Sequence, residues 1–168
     1  YAEPYSSLAR DVEISPEEKR ELLKKAVEIG RKGVQHATAS GSSDAMVATN
    51  HALSKALHFY SNVETGKDDR AKLLEEALAH REEYNRIAQR VVPANNWIRG
   101  VGKNYEGLMK LDLAKLETDK EKRRALLESA VSIMDDCVSR CESWILSRPV
   151  PTLIATVARF MDSFGEIL

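Results

Sequence analysis

Two cysteines are the first residues whose type and spacing could do chemistry. Cys137 and Cys141 are the only cysteines of the chain, and they stand four residues apart in a strongly helical stretch, on one helix face. Two thiolates can bind a metal, but a tetrahedral site needs further ligands, and no other Cys or His lies nearby in the sequence. We favour a structural role in an apolar stripe. Reduced thiols are typical of a cytoplasmic protein, which is the location we predict.

Histidines and carboxylates are the other candidates for metal binding or acid–base catalysis. His51 and His58 stand seven residues apart and cannot both reach one metal without help from another helix. Neighbouring carboxylates such as Glu75 and Glu76 point about 100° apart on a helix, unlike a catalytic pair. The sequence also contains no Gly-rich phosphate loop, nucleophile elbow or Walker-type lysine. We therefore expect a protein that is not an enzyme, with no catalytic residue, metal or cofactor.

Composition argues against two classes of partner. The chain has 168 residues, of which 43% are hydrophobic, and this suits one domain with a substantial core. Its 25 basic and 26 acidic residues give a net charge of −1, so no overall field attracts nucleic acid. Its apolar runs are far shorter than the ~20 residues that a membrane span needs. We expect neither a nucleic-acid partner nor a membrane partner.

Helix start and stop signals divide the chain into long segments. Ser15-Pro16-Glu17-Glu18 combines an N-cap, a first-turn proline and a capping-box glutamate. Ser43 or Asp44 is expected to cap the next helix, and Thr118 with Glu121 forms a second capping box. Apolar residues then recur at three- and four-residue steps, with no alternating strand pattern, so the predicted fold class is all-α. The predicted helices cover about 16–38, 43–63, 68–92, 95–116, 119–146 and 151–167. Residues 1–13 resemble the end of a further helix, and a short N-terminal helix that begins near Pro4 is the alternative.

Three of these helices repeat one phrase at nearly constant spacing. The pair Leu22-Leu23 returns at 73–74 and 126–127, and Ala26 returns at Ala77 and Ala130, after 51 and then 53 residues. A helix with such an apolar face cannot bury it alone, but a stack of helices can. We therefore expect antiparallel helical hairpins stacked in a single domain, 1–168. The predicted repeat units are about 1–38, 43–92 and 95–147, and a C-terminal helix, 151–167, is expected to cap them.

The small residues of the repeated helices resemble those of the tetratricopeptide repeat. In the first unit they are Ala26, Gly30 and Gly33, at steps of four and three residues. The period of 51 to 53 residues departs from the family period of 34. The middle unit departs further, because Arg81 and Tyr84 stand where two small residues are expected.

A second set of residues is similar to the same family. Trp97, Gly100 and Tyr105 match the residue types of the family's first helix, at a different spacing. The resemblance covers about residues 1–147. It implies a right-handed solenoid or bundle of about six or seven helices, each longer than in the family by two or three turns.

The resemblance also implies a non-enzymatic scaffold that binds a protein or peptide on a concave face. In that geometry the first helix of each hairpin lines the groove, and its side chains outside the core contact the partner. These side chains are mixed and mildly basic, which suits an acidic partner. The residues predicted to bind it are Asn50, Ser54, His58, Arg99, Lys103 and Lys110.

Two other functions stay open at this point. The chain begins at Tyr1 rather than Met, which favours a regulatory or oligomerisation domain from a larger signalling protein, such as a modular NTPase. The apolar stripe of the helix at 151–167 could then form a homodimer. The third function is that of a small α-helical ligand-binding protein or enzyme. Its pocket would be lined by His58, Tyr60, Trp97 and Tyr105.

Overall fold

The computed structural model describes residues 14–91 and 97–145, and the side chains of 14–91 and 102–137. Within these ranges the chain forms five helices and no strand, which confirms the all-α prediction for this part of the protein. The helices predicted at 1–13 and 151–167 lie outside the described residues. The five helices are α1 (Pro16–Ser40), α2 (Ser43–Val63), α3 (Lys67–Val91), α4 (Trp97–Leu116) and α5 (Lys120–Ile145).

The two ends of α1 follow the signals in the sequence. The Ser15 hydroxyl accepts a hydrogen bond from the Glu18 backbone at 3.2 Å, and the Glu18 carboxylate accepts one from the Ser15 backbone at 3.0 Å. This reciprocal pair is the predicted capping box. At the other end Gly41 has φ 66°, a left-handed conformation that ends helices and that glycine adopts without strain. The chain can therefore reverse at once into α2.

The N-caps of α2 and α5 differ by one residue from the predicted caps. Ser42, rather than Ser43 or Asp44, caps α2 through its hydroxyl. At α5 the carboxylate of Asp119, rather than the Thr118 hydroxyl, accepts hydrogen bonds from two first-turn amides. In both places adjacent residues of capping type follow one another, and the path of the connection decides which of them is extended.

Each helix packs against its neighbours in sequence, from α1 through to α5. The repeated alanines form part of these contacts, because Ala26, Ala77 and Ala130 are all buried. Helices one step further apart also come within side-chain reach. Arg31 on α1 pairs with Glu76 on α3 at 2.6 Å, and His58 on α2 pairs with Asp112 on α4 at 2.8 Å. The helices α1 and α3 thus come within reach of each other, and so do α2 and α4.

Glycines allow the closest approaches between helices. A Cβ at Gly30 of α1 would lie 2.9 Å from Leu53 Cδ1 and 3.3 Å from Leu53 Cα on α2. A Cβ at Gly107 of α4 would lie 3.0 Å from Met134 Cε on α5. At the corresponding place on α3, 51 positions after Gly30, the chain has Arg81. The close approach that Gly30 allows between α1 and α2 is therefore not repeated at this place on α3.

Candidate functional site

Buried polar side chains are concentrated where α2, α3 and α4 meet. Eight polar or charged residues are buried in the described part of the chain, and all of them belong to these three helices. Burial of a polar group costs free energy unless it is well paired, so apolar packing alone does not explain this concentration. We call these residues the polar seam: Asn50, Ser54, His58, Ser61, Arg81, Asn85, Asn104 and Glu106.

Arg81 on α3 is the central residue of the polar seam. Its side chain is 0% exposed, and its guanidinium carbon lies 4.9 Å from the centre of the Tyr84 ring and 5.0 Å from that of Tyr105. Both distances are those of cation–π contacts. Arg81 Nη1 also donates to His51 Nδ1 at 2.9 Å, so this ring nitrogen carries no proton. We call His51, Arg81, Tyr84 and Tyr105 the arginine cluster.

The guanidinium of Arg81 is buried away from water and still carries its charge. Burial lowers the pKa of Arg81 to about 10, against the opposing influence of Tyr84, Tyr105 and Glu106. The guanidinium is therefore still charged at neutral pH. Its Nε and Nη2 atoms have no hydrogen-bond partner in the described part of the chain. A buried donor without a partner typically costs about 1–3 kcal/mol, so the cluster is not an arrangement selected for stability alone.

Gly102 on α4 makes room for the arginine cluster. A Cβ at this position would overlap the Tyr84 ring and the Asn85 amide oxygen on α3. The Asn85 amide nitrogen in turn donates to Glu106 Oε2 on α4 at 2.7 Å. The α3–α4 contact is therefore fixed by a glycine, a ring and a buried hydrogen bond.

Glu106 is the buried carboxylate nearest to this contact. It accepts from Lys103 Nζ at 2.8 Å and from Lys110 Nζ at 3.1 Å. Burial raises the pKa of the Glu106 carboxyl, but the hydrogen bonds and charges of the two lysines lower it more, and the pKa lies below its usual value. Glu106 thus has two lysine partners on its own helix and also acts on the charge of Arg81.

Two further polar pairs extend the seam along α2. His58 Nε2 lies 2.8 Å from Asp112 Oδ2 on α4. His80 Nδ1 on α3 lies 2.8 Å from Asn50 Oδ1, and because the Asn50 amide nitrogen donates to the Met46 carbonyl, Oδ1 is the acceptor and Nδ1 carries the proton. Burial is the main cause of a lowered pKa at His80, which favours the neutral ring.

Three of the residues predicted to bind a partner are more buried than expected. Asn50, Ser54 and His58 are only 2%, 0% and 6% exposed, so the expectation that they lie outside the core is wrong. The reason is that α2 has neighbours on several sides, α1 and α3 by packing and α4 through Asp112. A role of these residues in partner binding stays a prediction.

The other three predicted residues belong to α4. Lys103 and Lys110 are half-buried and paired with Glu106. The side chain of Arg99 lies outside those that the structure describes. The structure thus brings Lys103 and Lys110 together beside the arginine cluster, and the contact of all three residues with a partner stays a prediction.

Sequence reasoning did not select Arg81 or Tyr84 as site residues. The signal that points to them is the interruption of the small-residue pattern in the middle unit, where both replace expected close-packing residues. Of the residues proposed to line a pocket, Tyr105 lies in the arginine cluster and His58 in the polar seam. The side chain of Trp97 is outside the described set.

Among the residues described, no group of three or more His, Cys, Asp or Glu side chains is placed to hold a metal ion. Cys137 is buried, and the side chain of Cys141 lies outside the described set. None of the described helices has the length and apolar character needed to cross a membrane. A comparison of the chain with protein-family models, curated proteins and solved structures finds no match.

Proposed function

We propose that the chain is a non-enzymatic interaction scaffold that binds a protein or peptide along α2 and α4. The observation that supports this proposal is a contrast between two sets of helices. The helices α1, α3 and α5 expose charged side chains over much of their described length. On α2, by contrast, no residue from 49 to 61 is exposed, and Lys115 is the one exposed residue among the described side chains of α4.

Residues that line a concave face are partly covered by the neighbouring helices, so their side chains are less exposed than those on the outer helices. The half-buried side chains of α2 and α4 include Lys55, Lys103, Tyr105 and Lys110. Aromatic and cationic groups at such a place suit an acidic segment of a partner, because charge complementarity favours the right partner over others. We propose further that the five helices belong to a tetratricopeptide-like right-handed array of six or seven helices, in which α2 and α4 line the concave face.

The test should avoid residues whose side chains are fully buried. Asn50 and His58 are buried, so their substitution would disturb the helices themselves. The variant Lys55→Gln with Lys103→Gln instead removes two partly exposed charges from α2 and α4. Its matched control, Lys24→Gln with Lys122→Gln, removes two exposed charges from α1 and α5. The two variants therefore have the same net charge.

A partner captured from lysate of the source organism is then titrated against both variants. We expect the α2–α4 variant to weaken binding about tenfold, or about 1.4 kcal/mol, with the control within about twofold of the unchanged chain. Circular dichroism checks that both variants are folded. Equal affinities for the two variants would contradict the proposed face.

The oligomerisation alternative depends on other residues. Its contact surface is the helix predicted at 151–167, which lies outside the described residues. Light scattering over a range of concentrations tests it directly, because self-association raises the mean mass with concentration. A mass that stays at that of one chain removes this alternative.

A further inference from the structure

One edge of the Arg81 guanidinium is a donor pair without an acceptor. The edge consists of Nε and Nη2, and both atoms are buried with no hydrogen-bond partner in the described part of the chain. Two other arginines use the same edge to bind a carboxylate. Arg31 donates from Nε and Nη2 to the two oxygens of Glu76 at 2.8 and 2.6 Å, and Arg86 binds Glu83 in the same way. Arg81 thus presents a fork whose ordinary occupant is a carboxylate.

The surroundings of this fork favour an added negative charge. Glu106 is the carboxylate whose charge acts on Arg81, and its oxygens are already engaged by Asn85, Lys103 and Lys110. Glu106 is thus already neutralised by its own lysine partners. A buried cation acts through a lower dielectric than that of water, so an anion that enters at the fork is attracted more strongly than it would be at the surface.

Arg81 also contacts side chains of the two helices that form the proposed binding face. They are His51 on α2 and Tyr105 on α4, and both of these side chains are only half-buried. The rings of Tyr84 and Tyr105 hold the guanidinium by cation–π contacts, so the fork is pre-organised.

We propose that Arg81 anchors a carboxylate-binding site, in which Nε–H and Nη2–H donate to the two oxygens of an acidic side chain or chain end of the partner. Arg81 is fully buried, so the carboxylate reaches the fork only when a side chain that covers it moves aside. The source of the carboxylate rests on the proposed function. The site itself rests on the geometry and charge of the polar seam.

The first test follows the arginine side-chain N–H signals of the unchanged chain by NMR while sodium acetate is added. Sodium chloride at equal ionic strength is the reference. We expect the Arg81 Nε–H signal to shift saturably, while Arg31 and Arg86 serve as internal controls because Glu76 and Glu83 occupy their forks. No saturable shift at Arg81, or the same shift at all three arginines, would overturn the proposal. A saturable response to inorganic phosphate but not to acetate would overturn the assignment to a carboxylate.

A substitution gives a second test. Arg81→Lys keeps the charge but removes the fork, so the affinity for acetate should fall about tenfold or more. The matched control is Arg86→Lys on the same helix, which should leave acetate binding unchanged. Unchanged acetate affinity in folded Arg81→Lys would overturn the proposal. If this variant does not fold, the titration of the unchanged chain decides the question.

The two proposals fail in different ways. A partner that depends on Lys55 and Lys103, together with an Arg81 signal that ignores acetate, would overturn the carboxylate site and leave the scaffold in place. Saturable acetate binding at Arg81 in a chain that retains no partner would support the site and count against the scaffold.

Discussion

The guanidinium of Arg81 on α3 faces the ring of Tyr105 on α4, with 5.0 Å between the guanidinium carbon and the ring centre. This contact lies 51 positions along the repeat from Gly30, where α1 approaches α2 with no side chain at all. A long cation therefore stands on α3 where the repeated sequence of α1 has a glycine. Burying the charge of Arg81 costs free energy, and this cost is the reason to ascribe a function to the polar seam.

Gly102→Ala should destabilise the protein, because the added methyl group overlaps the Tyr84 ring and the Asn85 amide. Overpacking of this kind typically costs about 1–3 kcal/mol, more than the roughly 1 kcal/mol that alanine gains over glycine in a helix. Chemical denaturation measures the difference. Gly33→Ala is the control, since its Cβ would meet only Thr49, at 3.3 Å, and it should be close to neutral. Gly102→Ala at least as stable as the unchanged chain would show that the α3–α4 contact is looser than described.

Ala77→Leu tests the contact made by the repeated alanines. Ala77 is 0% exposed and belongs to the main apolar cluster, so three additional heavy atoms should cost about 1–3 kcal/mol of unfolding free energy. The matched control is Ala79→Leu, two positions along the same helix and exposed, which should change stability by less than about 0.5 kcal/mol. Ala130→Trp should overpack the α5 contact in the same manner. Unchanged thermal stability in both buried variants would contradict the placement of these alanines.

Ser42→Ala should weaken the start of α2. The Ser42 hydroxyl accepts from the Ala45 backbone at 3.2 Å, and the loss of such a cap costs about 1 kcal/mol. Ser43→Ala provides the control, because Ser43 is already inside the helix and exposed. A larger loss of stability in Ser43→Ala than in Ser42→Ala would show that Ser43 is the N-cap, as the sequence predicts.

Glu106→Gln should alter how stability depends on pH. A carboxyl whose pKa is lower in the folded chain than in the unfolded chain stabilises the fold above the unfolded pKa of about 4.3, and this contribution is lost as the pH falls further. Although burial raises the pKa of Glu106, its two lysine partners lower it more, so Glu106 belongs to this class. The variant should therefore be least stable, relative to the unchanged chain, near pH 7.

The difference in unfolding free energy between Glu106→Gln and the unchanged chain should become smaller as the pH falls from about 5 to 3. Urea denaturation at several pH values measures this difference. Glu75→Gln, on the exposed side of α3, is the control and should show a small difference at every pH. A difference for Glu106→Gln that does not change with pH would contradict the described ion pairs.

The helices could be predicted from the sequence because their signals are local. The Ser15–Glu18 capping box, the proline at position 16 and the break at Gly41 all lie within a few residues of the features they determine. The repeated alanines also predicted buried contacts correctly, since Ala26, Ala77 and Ala130 are buried.

The polar seam could not be predicted in this way, because its contacts join residues far apart in the chain. His51 and Arg81 are 30 positions apart, and His58 and Asp112 are 54 apart. Helical periodicity gives the face of each residue but not the neighbour opposite that face. Asn50 and Ser54 were therefore expected outside the core, although α2 has helices on several sides. The departure of Arg81 from the small-residue pattern was visible in the sequence, but its meaning needed the positions of Gly102 and Tyr105.

The measurement that tests the central claim most directly is site-specific photocrosslinking in lysate of the source organism. A photoreactive phenylalanine is placed at position 55 or 103, on α2 or α4, and in parallel at the exposed positions 24 and 122, on α1 and α5. We expect one partner to be crosslinked from 55 and 103 and not from 24 or 122. Crosslinks formed only from 24 and 122 would show that the partner binds the charged outer helices, and would contradict the proposed binding face.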